Sequence, residues 1–322
     1  MNWQASMSWQ TAQKRAQIYS MIRTFFSDRN VVEVETPLMS QGTISDLHLD
    51  AFATKYNFLS TAIEQTLYLQ TSPEFAMKRL LASGYGDIYQ LCKAFRDEPY
   101  GRFHNPEFTI LEWYRLGFNY HDLMAEVEAL LISTLNCLPA EYVSYQKVFK
   151  QYTGIDPLST TIVELKGYLN QYEKLSNWLI DVEDIDTLLQ FIFAECIEKN
   201  IGKNAPCFVF AFPASQACLA KINLKDVRVA ERFECYFKGI ELANGFSELT
   251  DADIQLERFK QDNNKRGEHG KPERPIDDRF IKALAQGLPE CSGVALGIDR
   301  LLMLATGATN IEKVISFGVN RA

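Results

Sequence analysis

The chain has 322 residues, of which 47% are hydrophobic and 23% charged, so it can form a sizeable core and is not a low-complexity protein. Its 33 basic and 41 acidic side chains give a net charge of −8, which lacks the positive footprint of a protein whose main task is to bind nucleic acid. The length is compatible with two domains or with one large α/β or α+β domain.

The cysteines and histidines point to no metal or hydrolase chemistry. The seven cysteines form no Cys-x-x-Cys pair, and the four histidines are scattered without zinc-ligand or Ser-His-Asp spacing. The N-terminus has no signal-peptide pattern, and no apolar run reaches the roughly 18 residues of a membrane span. We therefore expect a cytoplasmic protein with reduced thiols and no membrane association.

Helical and strand patterns follow one another without a regular βαβ rhythm. Helices are predicted at 10–29, from Ser72-Pro73 to Gly84, at 120–137 and at 251–260; strands at 31–38, 87–98, 107–116, 207–212 and 229–238; a charged loop at 263–275; and a strand-to-helix unit at 292–305. The strand at 31–38 ends at Pro37, which suits a sheet edge. Residues 141–200 are mixed and mainly helical. The pattern favours an α+β fold with a largely antiparallel sheet.

The strands 87–98 and 107–116 form a predicted hairpin that carries the first candidate site. Glu112 and Tyr114 are two residues apart and face one side of a strand, where a carboxylate and a phenol suit an ammonium ligand. Arg96 ends the facing strand, and a guanidinium is well suited to phosphate. A surface ion pair on a hairpin is the alternative explanation.

A second candidate site is a run with carboxylates at seven-residue intervals, Glu234, Glu241 and Glu248. Because buried acids need compensation, they indicate Mg²⁺, a cationic ligand or both. Gly239 and Gly245 permit turns that would bring the three acids together. Separate solvation of each acid on a polar strand face is the alternative.

The third candidate is the strand-to-helix unit with Gly293, Gly297 and Arg300. Glycines four apart in an apolar strand suit close approach of a flat ligand, and Arg300 lies on the first helical turn. Neither a Walker A loop nor a Gly-x-Gly-x-x-Gly fingerprint is present. A tight strand-helix turn alone would also explain this pattern.

Taken together and in this order, these segments resemble the three signature motifs of class II aminoacyl-tRNA synthetases. The strand ending at Pro37 resembles motif 1, the hairpin from Arg96 to Glu112 motif 2, and Gly297 to Arg300 motif 3. The segments beginning at Thr71 (TSPE), His104 (HNPEFT) and Asn244 (NGFSEL) are similar to the lysine-specific branch. The resemblance implies an α+β catalytic domain over 1–322, with a mainly antiparallel sheet flanked by helices and a mainly helical insertion at about 141–200.

The resemblance also implies ATP and Mg²⁺ as substrate and cofactor, and it assigns roles to individual residues. Arg96 and Arg300 are the implied catalytic residues. The implied ATP-binding residues are Arg96, Asp97, Glu98, Asn105, Glu241, Leu242, Gly297 and Arg300; the magnesium ligands are Glu234 and Glu241; and the amino-acid site comprises Ser72, Pro73, Glu74, Glu112, Tyr114, Asn244, Glu248 and Ala295. Three carboxylates and a phenol suit a ligand with two ammonium groups, as in lysine and β-lysine.

Two departures from lysyl-tRNA synthetases narrow the expectation. The chain leaves no room before about Gln10 for their anticodon-binding barrel, and Ala295 stands where they carry glycine. Both features resemble short bacterial paralogues that activate (R)-β-lysine and attach it to a lysine of elongation factor P. That implies no use of tRNA and a homodimer formed through motif 1. A truncated enzyme that charges tRNA with lysine, and an inactive regulatory paralogue, are the alternatives.

Overall fold

The computed structural model describes residues 3–57 and 65–322, and its elements are as follows. The helices are α1 (Trp9–Ser27), α2 (Glu74–Ala82), α3 (Tyr120–Leu135), α4 (Tyr145–Thr153), α5 (Ile162–Gln171), α6 (Asn177–Ile180), α7 (Ile185–Ile192), α8 (Ala252–Glu268), α9 (Asp278–Gly287) and α10 (Ile298–Thr306). The strands are β1 (Val32–Glu33), β2 (Met39–Ser40), β3 (Ala53–Tyr56), β4 (Gln65–Leu69), β5 (Ile88–Phe95), β6 (Glu107–Leu116), β7 (Glu141–Ser144), β8 (Cys207–Phe210), β9 (Arg232–Phe237), β10 (Ile240–Ser247) and β11 (Cys291–Gly297).

An eight-stranded sheet organises the fold, with the order β1-β5-β6-β11-β10-β9-β8-β7. Among the strands that the structure describes, only the two outermost pairs of this sheet, β1 with β5 and β7 with β8, are parallel. The strands between them are antiparallel, so the predicted α+β class with a mainly antiparallel sheet is confirmed. Strands β2, β4 and β3 form a separate small sheet.

Helices α1, α3 and α10 cover one face of the large sheet. Their apolar sides meet alternate strand residues such as Leu111 and Trp113 of β6 and Leu296 of β11, all completely buried. Because successive strand residues point to opposite faces, Glu112, Tyr114 and the other even-numbered residues of β6 face away from this core. The remaining face is therefore available for polar groups.

The first helix and the motif 2 hairpin are confirmed, but the predicted strand at 31–38 is wrong over most of its length. Only Val32 and Glu33 form a strand, at the edge of the sheet, followed by one further backbone bond from Val34 N–H to the Tyr89 carbonyl. The chain then leaves the sheet before Pro37, which has no N–H to donate to a ladder.

The second helix begins one residue later than predicted. Pro73 is its N-cap residue rather than its first helical residue, and the Ser72 hydroxyl accepts the Glu74 N–H at 3.2 Å. Gly84, with φ of +91°, follows its end in a conformation that favours glycine.

The region 141–200 begins with a strand and is otherwise mainly helical, with loops between its helices. Residues 141–144 form β7, which extends the large sheet as an edge strand, and the following helices bury an apolar cluster that includes Phe149, Leu165 and Leu188. Cys207 and Val209 of β8 belong to the same cluster, so this region packs against the sheet. Its origin as an insertion stays a prediction.

Two predictions in the C-terminal half of the chain are wrong, the loop at 263–268 and the turn at Gly245. Residues 263–268, predicted as loop, continue α8, because Asn263 exchanges hydrogen bonds with the Arg274 backbone and Arg266 pairs with Asp50 at 2.7 Å. Gly245 lies within β10 rather than at a turn. A Cβ at this position would overlap Phe233 and Val294, so close packing between the strands explains the glycine. Gly239, with φ of +72°, does form the β9–β10 turn. Within the described ranges, every helix falls short of the length and apolarity that a membrane span requires.

Candidate active site

The register of the large sheet places many of the predicted site residues in one row across four strands. Glu112 of β6 lies opposite Ala295 of β11, Ala295 lies opposite Asn244 of β10, and Asn244 lies opposite Glu234 of β9. A second row joins Tyr114 to Gly293 and then to Phe246. Directly opposite residues share a face of the sheet, so these side chains line one surface.

A cavity of about 440 Å³ lies on this surface. It has the size and mixed polarity of a small-molecule site. Fifteen of the seventeen predicted site residues line it: Ser72, Glu74, Arg96, Glu98, Asn105, Glu112, Tyr114, Glu234, Glu241, Leu242, Asn244, Glu248, Ala295, Gly297 and Arg300. Pro73 and Asp97 are not among the lining residues. Pro73 is buried at the start of α2, and Asp97, next to Arg96, has an exposed side chain.

Arg96 lies at the end of β5, where its backbone N–H continues the hairpin ladder to the Pro106 carbonyl at 2.9 Å. Its guanidinium stacks over the Phe108 ring at 5.0 Å. Burial lowers the pKa of Arg96, while the charges of Glu98 and Glu241 act in the opposite direction. Among the described residues, none accepts a hydrogen bond from its buried Nε. The group is therefore placed to bind an anionic oxygen within the cavity.

Arg300 reaches the cavity from the first turn of α10. It donates to the Glu241 carbonyl at 2.9 Å and to the Phe103 carbonyl at 3.3 Å, and its Nη2 lies 2.9 Å from His104 Nε2. Burial and the nearby Arg300 charge lower the pKa of His104, so its imidazole is neutral and accepts from the guanidinium. These contacts tie Arg300 to the β5–β6 loop and to β10.

Glu234 and Glu241 form an acidic pair at one end of the cavity. Glu234 receives a bond from Arg232 Nη2 at 2.5 Å and another from the Tyr236 hydroxyl. Burial, followed by repulsion from Glu241, raises the pKa of Glu234, although Arg232 lowers it. Glu198 approaches from the helical region, and burial and the same two acids raise its pKa to about 7.

This negative charge suits a divalent cation, because Mg²⁺ is usually held by one or two carboxylates together with substrate phosphates. Residues 3–57 and 65–322 contain no group of three or more His, Cys, Asp or Glu arranged to hold a metal by themselves. The two carboxylates, Glu234 and Glu241, match the number that Mg²⁺ usually takes from a protein when phosphates supply its other ligands.

The opposite end of the cavity contains a second acidic group. The Tyr114 hydroxyl donates to Glu112 Oε1 at 2.6 Å, as the two-residue spacing on one strand predicts. Burial and the Glu74 charge raise the pKa of Glu112 to about 8, despite the Tyr114 bond and the charges of Lys78 and Arg96. Burial likewise raises the pKa of Glu248 to about 8 against the lowering effect of Lys78. A cationic ligand would relieve both effects.

The three acids at seven-residue intervals are thus not brought together. Glu248 lies with Glu74 and Glu112, whereas Glu234 and Glu241 lie at the other end of the same cavity. Strand β10 separates them, because it runs straight through Gly245 instead of turning there. The run serves two sites rather than one.

The two glycines of β11, Gly293 and Gly297, are explained in different ways. A Cβ on Gly293 would overlap the Tyr114 ring and the Glu248 carboxylate, so this glycine makes room for two side chains of the site. A Cβ on Gly297 would meet only Arg300, at an ordinary 3.6 Å, so the protein itself does not require glycine there. Close approach of a ligand remains the predicted reason at Gly297.

Sequence reasoning missed two buried cations of the site. Lys78 lies between Glu74 and Glu248, and Arg232 contacts Glu234, Asn244 Oδ1 and the Gln216 carbonyl. Glu74 and Lys78 are four residues apart, a spacing typical of ion pairs on the surface of a helix, so the sequence does not indicate that Lys78 is buried. Arg232, two residues before Glu234 in an otherwise apolar strand, was a detectable signal.

An antiparallel sheet that carries an arginine on a hairpin strand, a second arginine at a strand-to-helix junction and acids between them is the catalytic architecture of class II aminoacyl-tRNA synthetases. A family model described as class II tRNA synthetases (D, K and N) matches residues 1–321. The chain belongs to this family of ATP-dependent ligases.

Three similar proteins are each named elongation factor P–(R)-beta-lysine ligase. They come from Salmonella paratyphi B, Salmonella schwarzengrund and Salmonella dublin, and each is 54% identical to this chain over 320 residues, covering 99% of the chain and 98% of the relative. The chain therefore matches these ligases over almost their whole length.

Proposed function

We propose that this chain activates (R)-β-lysine with ATP and transfers the β-lysyl group to the ε-amine of a lysine on elongation factor P. The full-length similarity to proteins named for that reaction supports the proposal. The observation that carries it within the chain is the buried acidic end of the cavity, where Glu74, Glu112 and Glu248 suit a diammonium ligand. We place the reaction in the cytoplasm.

In the first step, a carboxylate oxygen of β-lysine attacks the α-phosphorus of ATP, and the bond to the β-phosphate oxygen breaks, so that pyrophosphate leaves. No protein nucleophile is needed, and the chain's task is alignment and charge neutralisation. Arg96 would hold the α-phosphate and the substrate carboxylate, and Arg300 the γ-phosphate. Glu98, Asn105, Leu242 and Gly297 would contact the rest of the nucleotide, with Asp97 beside them.

Glu234 and Glu241 would hold Mg²⁺, which neutralises charge on the phosphates when it is bound. Arg232 lowers the pKa of Glu234 against the effect of burial, and it orients the carboxylate through its contact at 2.5 Å. The ion pair between Arg300 and Glu241, at 3.4 Å, supports this assignment, since both groups would contact the same phosphates.

In the second step, a neutral ε-amine of elongation factor P attacks the carbonyl carbon of the adenylate. The carbon–oxygen bond to AMP breaks, AMP leaves, and the amine nitrogen gives up a proton to form the amide. The product is an amide of a protein lysine, whereas an aminoacyl-tRNA is an ester of a ribose hydroxyl. Because the proposed acceptor is a protein amine, the proposed reaction uses no tRNA.

We also propose a single catalytic domain over 1–322 and a homodimer. Exposed apolar side chains at Trp9, Val32 and Met39, between 50% and 73% accessible, support an interface around motif 1. Light scattering should give the mass of two chains, whereas the mass of one chain would contradict the dimer.

The acceptor is tested by incubating purified chain with ATP, Mg²⁺ and (R)-β-lysine or α-lysine, together with elongation factor P or total tRNA. We expect intact-mass spectrometry to show one added lysyl group on elongation factor P, with β-lysine preferred. Acid-labile charging of tRNA would favour the truncated-synthetase alternative. Absence of AMP formation with every acceptor would favour the inactive paralogue.

A further inference from the structure

A buried ammonium group lies beneath the amino-acid end of the cavity. Lys78, on α2, is 1% exposed, and its Nζ lies 2.6 Å from Glu74 Oε1 and 2.5 Å from Glu248 Oε2. The rings of Phe246 and Phe280 flank it at 5.3 and 5.8 Å. A lysine shielded in this way from water needs compensating charge, and the two carboxylates supply it.

The charges that face Lys78 come from every element around it. Helix α2 contributes Glu74, β6 contributes Glu112 and Tyr114, the residue after β10 is Glu248, and β11 contributes Cys291. Burial and the neighbouring acids raise the pKa of Tyr114, and burial followed by Glu248 raises that of Cys291, so both groups stay neutral. With all acids ionised, Lys78 therefore leaves two negative charges on this end of the cavity.

Two buried carboxylate oxygens at this end of the cavity have no hydrogen-bond donor and no ion-pair partner among the described residues. Among the residues that the structure describes, none donates a hydrogen bond to Glu112 Oε2 or to Glu248 Oε1, although both atoms are buried. Buried carboxylate oxygens are rarely left without donors. Glu112 and Glu248, which each have an unfilled acceptor, both line the cavity.

We propose that Lys78 is a positioning residue that sets the specificity of this site, because it neutralises one of three carboxylates and holds Glu74 and Glu248 so that the site accepts a ligand with two ammonium groups. The inference rests on the proposed function, since it concerns the amino acid that the chain activates. Lys78 does not touch the reacting atoms. It acts through the two acids.

The consequence of removing this cation has a definite sign. The attraction of Glu248 and Glu74 outweighs burial and raises the pKa of Lys78, so it remains charged at neutral pH. Lys78 in turn lowers the pKa of Glu248 from the value that burial alone would impose. Without Lys78, the empty site retains protons to a higher pH, and a diammonium ligand must displace more of them.

The test compares Lys78→Met with Lys78→Arg, which keeps the cation, and with Arg79→Met, which removes a neighbouring charge outside the cavity. Lysine-dependent ATP–pyrophosphate exchange is measured with β-lysine between about pH 6 and pH 9. For Lys78→Met we expect the acid limb of kcat/KM to move up by about one pH unit or more and KM for β-lysine to rise on the order of tenfold. KM for ATP should not change.

The controls separate charge from packing. Lys78→Arg should keep the acid limb of the wild-type chain even if its KM rises, and Arg79→Met should match the wild type in both respects. Calorimetry in two buffers of different ionisation enthalpy should show more protons released per β-lysine bound by Lys78→Met. An unmoved acid limb and an unchanged proton count in a folded Lys78→Met would overturn the inference.

If Lys78→Met does not fold, as circular dichroism would show, the double variant Lys78→Met/Glu248→Gln replaces the test. It removes the buried pair together and leaves two carboxylates, Glu74 and Glu112, so we expect an acid limb that is shallower by one proton and is not displaced upward. An acid limb displaced upward would refute the charge assignment. A wild-type chain with no lysine-dependent exchange would instead reject the proposed function itself.

Discussion

Ala295 carries the most specific prediction about substrate choice. It lies in the row of side chains that crosses the sheet, directly between Glu112 on β6 and Asn244 on β10. Its methyl group therefore occupies the surface on which the amino acid would rest. Replacing Ala295 with Gly removes this methyl group and leaves the two flanking polar groups in place.

The magnitude follows from the size of the change. One methyl or methylene group in a binding pocket is worth about 1–3 kcal/mol, which corresponds to a factor of roughly 10–200 in kcat/KM. Because Ala295 is only half-buried and Gln90, Glu112, Asn244 and Glu234 in its row are polar, we expect the lower end, about tenfold. The added strand glycine should cost about 0.5–1 kcal/mol of folding stability.

The assay is ATP–pyrophosphate exchange with (R)-β-lysine and with α-lysine, from which the ratio of the two kcat/KM values is obtained. We expect the wild-type chain to prefer β-lysine and Ala295→Gly to shift the ratio about tenfold toward α-lysine. Ala230→Gly, at a completely buried position outside the cavity, controls for loss of stability. An unchanged ratio in Ala295→Gly would refute the assignment of Ala295 to substrate choice.

Three further predictions concern the rest of the site. Arg300→Ala should reduce exchange by about 100-fold or more with an unchanged circular dichroism spectrum, because it removes a preorganised phosphate contact; retained exchange would contradict the motif 3 assignment. KM for β-lysine should fall as pH rises toward 8, because Glu112 and Glu248 have pKa values raised to about 8 and must ionise to bind ammonium groups. The fall should be roughly tenfold per pH unit for each proton released. A flat profile from pH 6 to 8 would contradict this prediction. Gly293→Ala should raise KM for β-lysine with little effect on KM for ATP, because its Cβ would overlap Tyr114 and Glu248. Gly297→Ala, whose Cβ would not overlap these two residues, should raise KM for ATP with little effect on KM for β-lysine. Equal effects of both variants on both constants would count against the two-ended cavity.

The sequence predicted the fold class, the motif 2 hairpin and the β11–α10 unit because their signals are local. Strand alternation placed Glu112 and Tyr114 on one face, and the structure joins them by a hydrogen bond of 2.6 Å. The order of the three segments supplied the family. Local pattern and chain order are both contained in the sequence itself.

The errors arise where tertiary contacts override local pattern. The charged residues of 263–268 read as loop, but burial of Arg266 against Asp50 extends α8 through them. Gly245 was interpreted as a turn residue. Its actual role, close packing against Phe233 and Val294, depends on neighbouring strands that the local pattern does not show. Lys78 was missed, since its spacing from Glu74 does not show that Glu248, distant in the chain, forms an ion pair with it.

The position of Arg96 explains how two acidic ends of one cavity can serve a single reaction. Its charge lowers the pKa of Glu112 at one end of the cavity, while Glu241, at the other end, acts to raise that of Arg96. Arg96 therefore lies within electrostatic reach of both ends. A diammonium amino acid held by Glu74, Glu112 and Glu248 would extend its carboxylate away from those acids, toward Arg96. Phosphates held by Arg300 and a metal on Glu234 and Glu241 would approach Arg96 from the other side. The two anionic reactants repel each other in water, and a cation fixed between them lowers that cost before the reaction begins.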